Sequence, residues 1–162
     1  MCDVLVALPA ASAIGATLFA KNSDRPPAER QVVEWSPARS DNGLLRATHL
    51  EVPAHAHDTL ACVLLRPAWG WGAEHGVNEA GVAIGNTTVF TTLDPRSATA
   101  GLTGMDLVRL ALERCSTAAA AVEVITALIA QFGQGGSGHD PLLVPHGRPY
   151  WNAFLVADPT TA

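Results

Sequence analysis

Lysine is nearly absent from this 162-residue sequence: Lys21 is the only one, and every other basic residue is arginine, which makes Lys21 easy to probe. Charge as a whole is scarce, at 15% of residues, while hydrophobic residues reach 48%. That balance excludes a disordered chain and fits one compact domain, long enough to bury about 70% of its unfolded surface. Residues 1–162 are read as a single domain. The formal net charge of −5, with no offsetting cluster of Lys and Arg, excludes a nucleic-acid surface. Cysteine is limited to Cys2, Cys62 and Cys115, an odd count at wide spacing that supports neither a disulfide framework nor a metal-ligand pattern. A reducing cytoplasm is the expected compartment. No apolar run reaches the roughly 18 residues of a membrane span without a breaker. A secretory leader is not expected: Asp3 stands where a basic segment is needed, no Lys or Arg precedes Lys21, and Pro9 and Gly15 interrupt the apolar stretch. His55 and His57 flank one alanine in a loop, too sparse for a metal site. Gly135-Gly136-Ser137-Gly138 follows a helix pattern, where a phosphate-binding loop would precede one. No metal and no cofactor are expected.

What is present is ordered as strands, then two helices, then a strand. Residues 3–8 and 16–21 are short apolar runs separated by turn formers, predicting a β-hairpin that begins at Cys2 and is stopped by Pro26-Pro27. Further strands are predicted over Gln31–Trp35, Ala47–Val52 and Thr59–Leu65, with a turn at Ser40–Gly43. Gly76–Thr88 predicts strand, tight turn, strand, with Asn78 and Gly81 in the turn and Asn86 at or near the end of the second strand. Thr103, followed three residues later by Asp106, predicts a capped helix start, and Leu107, Leu110, Ala111 and Cys115 share one face of that helix. A second helix from Ser116-Thr117 carries Val122, Ile125, Leu128, Ile129 and Phe132 at helical spacing and stops at Gly133. Tyr150–Asp158 returns as a strand. The class is α+β, with helices packed on a mostly antiparallel sheet. Cys62 and Cys115 fall at apolar positions and are read as buried small hydrophobes. Trp69 and Trp71 wall a substrate pocket or pack in the core.

Cys2 directly follows Met1. Methionine is readily trimmed before a small residue, and trimming would leave Cys2 with a free α-amine beside its own thiol. An α-amine of pKa roughly 7.7–8.0 is partly free base near neutral pH and can serve as general base for an adjacent nucleophile. A thiol of pKa about 8.5 is already partly thiolate, and neighbouring positive charge lowers it further. One residue would then supply nucleophile and base together. Without trimming, Cys2 is only the first residue of a strand.

The runs Met1–Pro9, Gly15–Arg25, Trp69–Asn86 and Tyr150–Pro159, in this order, resemble the secernin/dipeptidase A family of cysteine-type N-terminal nucleophile hydrolases. The wider class includes penicillin V acylases and bile salt hydrolases. The resemblance implies a four-layer αββα sandwich with Cys2 as nucleophile. It places Asp24 beside the N-terminal amine, where a carboxylate would orient it; the alternative is a capped turn before Pro26-Pro27. Lys21 stands where the wider class has an arginine, which keeps the charge but loses the planar fork. Arg25 is a candidate substrate-carboxylate clamp or thiol neighbour, so Lys21 and Arg25 are the substrate-binding candidates. Asn86 matches the family position that follows an Asn-Glu-x-Gly turn, and its side-chain amide is the candidate oxyanion donor. The alternative is a turn residue at the strand end.

Members of that family continue past the strand that ends in Ala157-Asp158-Pro159, with further strands, a second helical layer and at least one more site asparagine. The resemblance therefore implies the N-terminal portion of such a hydrolase: an antiparallel sheet plus one helical layer. Val4, Val6 and Leu8 alternate with Leu5 and Ala7, so both faces of the first strand are apolar, as suits a strand between two layers. Self-association, or pairing with a complementary C-terminal segment, is expected. The functional expectation is dipeptidase-like hydrolysis of a small amide or dipeptide through Cys2 after Met1 removal, with no nucleic-acid or membrane partner. Two alternatives remain: a catalytically silent member acting as an interaction partner, and a hydrolase of non-peptide amides.

Overall fold

The computed structural model describes every residue except Met1 and Asp41. The first two apolar runs pair as an antiparallel hairpin, β1 (Cys2–Ala7) with β2 (Leu18–Ser23), which sets Cys2 opposite Ser23. β3 (Gln31–Ser36) follows Pro26-Pro27. The turn expected at Ser40–Gly43 includes Asp41 and so lies partly outside the described residues. The strand expected over Ala47–Val52 is instead a second hairpin, β4 (Leu44–Arg46) and β5 (Glu51–Pro53). Between its arms the Ala47 amide donates to the Leu50 carbonyl at 2.9 Å. Ala47 and Val52 reach the same apolar cluster, beside Leu102, Leu107 and Leu110, from the two sides of that turn, so their spacing imitated one strand.

The chain then builds β6 (Cys62–Pro67), β7 (His75–Asn78) and β8 (Ala83–Val89). The Asn78 side chain shapes the β7–β8 turn by accepting from the Ala80 and Val82 amides at 3.1 and 3.0 Å. The helices are α1 (Gly104–Arg114) and α2 (Ala118–Phe132), and β9 (Trp151–Ala157) closes the chain. The main sheet runs β3-β6-β7-β8-β9, antiparallel throughout. Asn86 is not at a strand end. β9 pairs along the whole of β8 as far as Val89 opposite Trp151, which leaves Asn86 in mid-strand and 1% exposed.

α1 starts at the expected capping box: Thr103 Oγ1 accepts from the Asp106 amide at 3.1 Å, and Asp106 Oδ2 accepts from the Thr103 amide at 3.0 Å. The same carboxylate accepts from Thr48 Oγ1 at 2.6 Å, which ties the helix to the β4–β5 turn. The main core lies between the helices and one sheet face, with Leu64, Ile84, Val108, Leu112, Ile125 and Val156 among its members. The β1–β2 hairpin covers part of the opposite face. A Cβ at Gly85 would come within 3.2–3.3 Å of Phe19 and Lys21, so the bare backbone there is what lets the hairpin settle. The fold is thus α+β, with two helices, an antiparallel five-stranded sheet and a hairpin as successive layers. Over β3 and β7 the hairpin face is open, with Val33 72%, Trp35 64% and Val77 41% exposed. Leu5, on the outer side of β1, is also exposed.

Candidate active site

The start of β1, the end of β2, β8 and the segment leading into β9 meet around a cleft of about 760 Å³. Cys2, Asp24, Arg25 and Asn86, four of the five residues singled out in the sequence, line it. Cys2 is half-buried with a free thiol, and its carbonyl accepts from Thr87 Oγ1 at 2.9 Å, which pins the start of β1 to β8. The expected removal of Met1 concerns a residue outside those described. The other two thiols are closed off. Burial pushes Cys62 up to about 12 and Cys115 up to about 11, so neither supplies thiolate near neutral pH. The Asp24 carboxyl is held below its ordinary value, first by the chain's amino terminus, which precedes Cys2, and to a smaller extent by Arg148.

Lys21, the fifth candidate, does not reach the cleft surface. Its side chain is 0% exposed and its ammonium donates to Glu74, to Ser23 Oγ at 2.8 Å and to Asn86 Oδ1 at 3.2 Å. Arg25 borders the cleft, but its guanidinium is occupied: Nε and Nη2 donate to Glu29 at 2.6 and 2.8 Å, and Nη2 also donates to the Gly138 carbonyl at 2.6 Å. Nη1 lies 3.2 Å from Glu74 Oε1. Burial works against the Arg25 charge, yet the Glu29 hydrogen bonds and the Glu74 charge push its pKa up. Trp69 and Trp71 border a separate cavity of about 470 Å³; Trp69 Nε1 donates to Glu29 at 2.9 Å and the Arg109 guanidinium stacks 4.5 Å from the Trp71 ring.

Two site residues were not singled out in the sequence. Glu74 is 2% exposed and joins Lys21 to Arg25 beneath the cleft. Its other contact is Ser23 Oγ, 3.3 Å from Oε2. Asn152 is the second: its Oδ1 accepts from Asn86 Nδ2 at 2.7 Å, and its backbone amide donates to Gln134 Oε1 at 3.0 Å. A Cβ at Gly104 would fall 2.1 Å from Asn152 Oδ1, so the first residue of α1 must be glycine for this amide to sit where it does. Asn86 is therefore held at both ends, Oδ1 by Lys21 and Nδ2 by Asn152. The second Nδ2 hydrogen remains to be given. Side-chain order alone announces neither residue; only the β8–β9 register and the β2–β7 approach bring them in.

Residues 1–139 match the family model of peptidase family C69. The chain belongs to peptidase family C69. That family includes dipeptidase A and the secernin-like cysteine peptidases, so the resemblance noted in the sequence holds and hydrolysis of peptide bonds is the supported activity. Asn152 and the residues just before β9 lie beyond the matched range. No helix among the described residues of this C69 chain is long and apolar enough to cross a membrane.

Histidines around the sheet give the C69 chain an acid-side weakness. Burial first, and then the Lys21 charge, push His75 down to about 4, and its buried Nδ1 has no hydrogen-bond partner among the described residues. His139 is also lowered, by burial and then by Arg25. An unfolded histidine takes its proton near pH 6.5. Between there and about pH 4 the unfolded state binds protons that folded His75 refuses, so stability present above pH 6.5 is lost as the pH falls. The melting midpoint should fall from pH 7.5 to pH 5, and His75→Gln should reduce that fall. Identical midpoints at the two pH values would contradict the assignment.

Proposed function

We propose that this C69 peptidase cleaves small amides or dipeptides through Cys2, after Met1 removal, with the α-amine of Cys2 as general base. The observation that carries this reading is that, of the three thiols, Cys2 alone borders the cleft, which Asp24 and Asn86 also line. The amine takes the thiol proton as sulfur attacks the carbonyl carbon. Asn86 Nδ2 donates to the oxygen that becomes negative, where a fixed donor is worth most. The amine then returns the proton to the leaving nitrogen as the C–N bond breaks and a thioester forms. Water, deprotonated by the same amine, releases the acid and the thiol. Asp24, which lines the same cleft, keeps the amine oriented. Lys21 and Asn152 act as positioning residues through Asn86.

The test is at Asn86. Asn86→Ala is expected to lower kcat by about 100–1000-fold, the usual effect of losing one oxyanion donor. Asn86→Asp keeps the shape and the acceptor for Lys21 but can donate neither to the oxyanion nor to Asn152, so it should show the same loss, read on protein whose circular dichroism and melting show that it is folded. A wild-type rate in the folded Asp variant would remove Asn86 from the mechanism.

A further inference from the structure

Resting on the peptidase reading above, we infer that Arg148 is the specificity-determining residue of the cleft and binds the terminal carboxylate of the departing amino acid. The protein carries a formal net charge of −5, yet the cleft is bordered by three arginines, Arg25, Arg96 and Arg148, against two carboxylates, Asp24 and Glu74. Two of those arginines are engaged. Arg25 is bound by Glu29, Glu74 and the Gly138 carbonyl, and Arg96 lies 3.5 Å from Asp94. The Arg148 guanidinium has no hydrogen bond or ion pair among the described residues; its charge is felt at Asp24 and His139.

The Arg148 backbone is fixed although its side chain is free. Its amide donates to Ser137 Oγ at 3.0 Å, and its carbonyl accepts from the Gly138 amide at 3.4 Å. The neighbouring His139 is packed edge-on against Tyr150, 5.8 Å between ring centres. A guanidinium on an anchored backbone, with its donors unspent, suits planar bidentate recognition of a carboxylate. The cleft also carries an apolar wall of Val89, Phe90, Leu93 and Trp151. Together they fit a small amide with an apolar group on the acyl side and a free carboxylate on the amine side. A blocked or amidated C-terminus would leave Arg148 unused.

The experiment uses the full chain carrying Cys2→Ala, so that ligands bind without turnover, and reads tryptophan fluorescence, since Trp151 borders the cleft. Phenylalanyl-glycine and its C-terminal amide are the probes. The acid should bind about tenfold or more tightly than the amide, the scale of one charge-assisted pair. Arg148→Gln should remove that preference while leaving amide binding unchanged, and Arg148→Lys should keep part of it. Equal binding of acid and amide by the parent, absence of binding by both, or an equal loss of both in Arg148→Gln would overturn the inference. Hydrolysis by the chain with Cys2 intact is measured separately. A carboxylate preference without any hydrolysis leaves Arg148 in place and removes the peptidase mechanism. Hydrolysis of acid and amide at equal kcat/KM removes Arg148 alone.

Discussion

Alanine at position 2 is expected to lower peptidase turnover by on the order of 10⁶-fold, the size seen when a protease loses its nucleophile. Cys62 and Cys115 cannot compensate, because burial raises both thiols and neither borders the cleft. Cys2→Ser should retain more than the alanine variant but still fall by several orders of magnitude, because a hydroxyl is the weaker nucleophile and needs more help from the base. Both variants leave a small residue after Met1, so they separate loss of the thiol from loss of the free amine. Intact-mass measurement provides the companion result: active chains should lack Met1 and should gain one thiol-reactive probe under folded conditions. Full activity in Cys2→Ala, or an active chain that retains Met1, would end the proposed mechanism.

Glu74→Gln should cost about 3–5 kcal/mol, the penalty for removing one partner of a buried ion pair. For a domain of this size that is about 6–20 °C in melting midpoint. The cost arises at Lys21, whose enclosed ammonium would keep only neutral acceptors, Ser23 Oγ and Asn86 Oδ1 among them. Arg25 suffers less because Glu29 still holds it. The double variant Lys21→Met with Glu74→Gln removes the stranded charge and should recover much of the loss, which gives a large coupling energy in a double-mutant cycle. A change within about 0.5 kcal/mol for Glu74→Gln, as at a surface site, would mean that water reaches this pair.

Local chemistry made much of the fold legible. Thr103 and Asp106 announce the start of α1 because a capping box is a four-residue event, and Asn78 announces the β7–β8 turn because its side chain bonds within that turn. Two of the candidates that line the cleft were legible from local pattern, Cys2 at the start of β1 and Asp24 just past the end of β2. Glu74 was not. It looks like an exposed charge in a glycine-rich loop, and only the approach of β2 to β7, more than fifty residues apart in sequence, buries it. Asn152 depends in the same way on the register that sets Thr88 opposite it. Asn86 was expected at a strand end because nothing in its own segment shows that β9, more than sixty residues later, extends β8 as far as Val89. The Ala47–Val52 strand failed for the opposite reason: apolar spacing was right about burial but silent about the turn that separates the two arms.

The enclosure of Lys21 changes how this molecule meets reagents. A sequence with one lysine suggests a single convenient handle for acylation, but that ammonium is sealed between β2, β7 and β8 and engaged by Glu74. In the folded chain, amine-directed esters and aldehydes are therefore left with the amino terminus. Under the proposed mechanism, that terminus is the general base. Coupling the protein to a surface through amines would attach every molecule in one orientation and at its own cleft. A substoichiometric acylating dye would in turn serve as an active-site titrant, with Lys21 becoming reactive only as the fold opens.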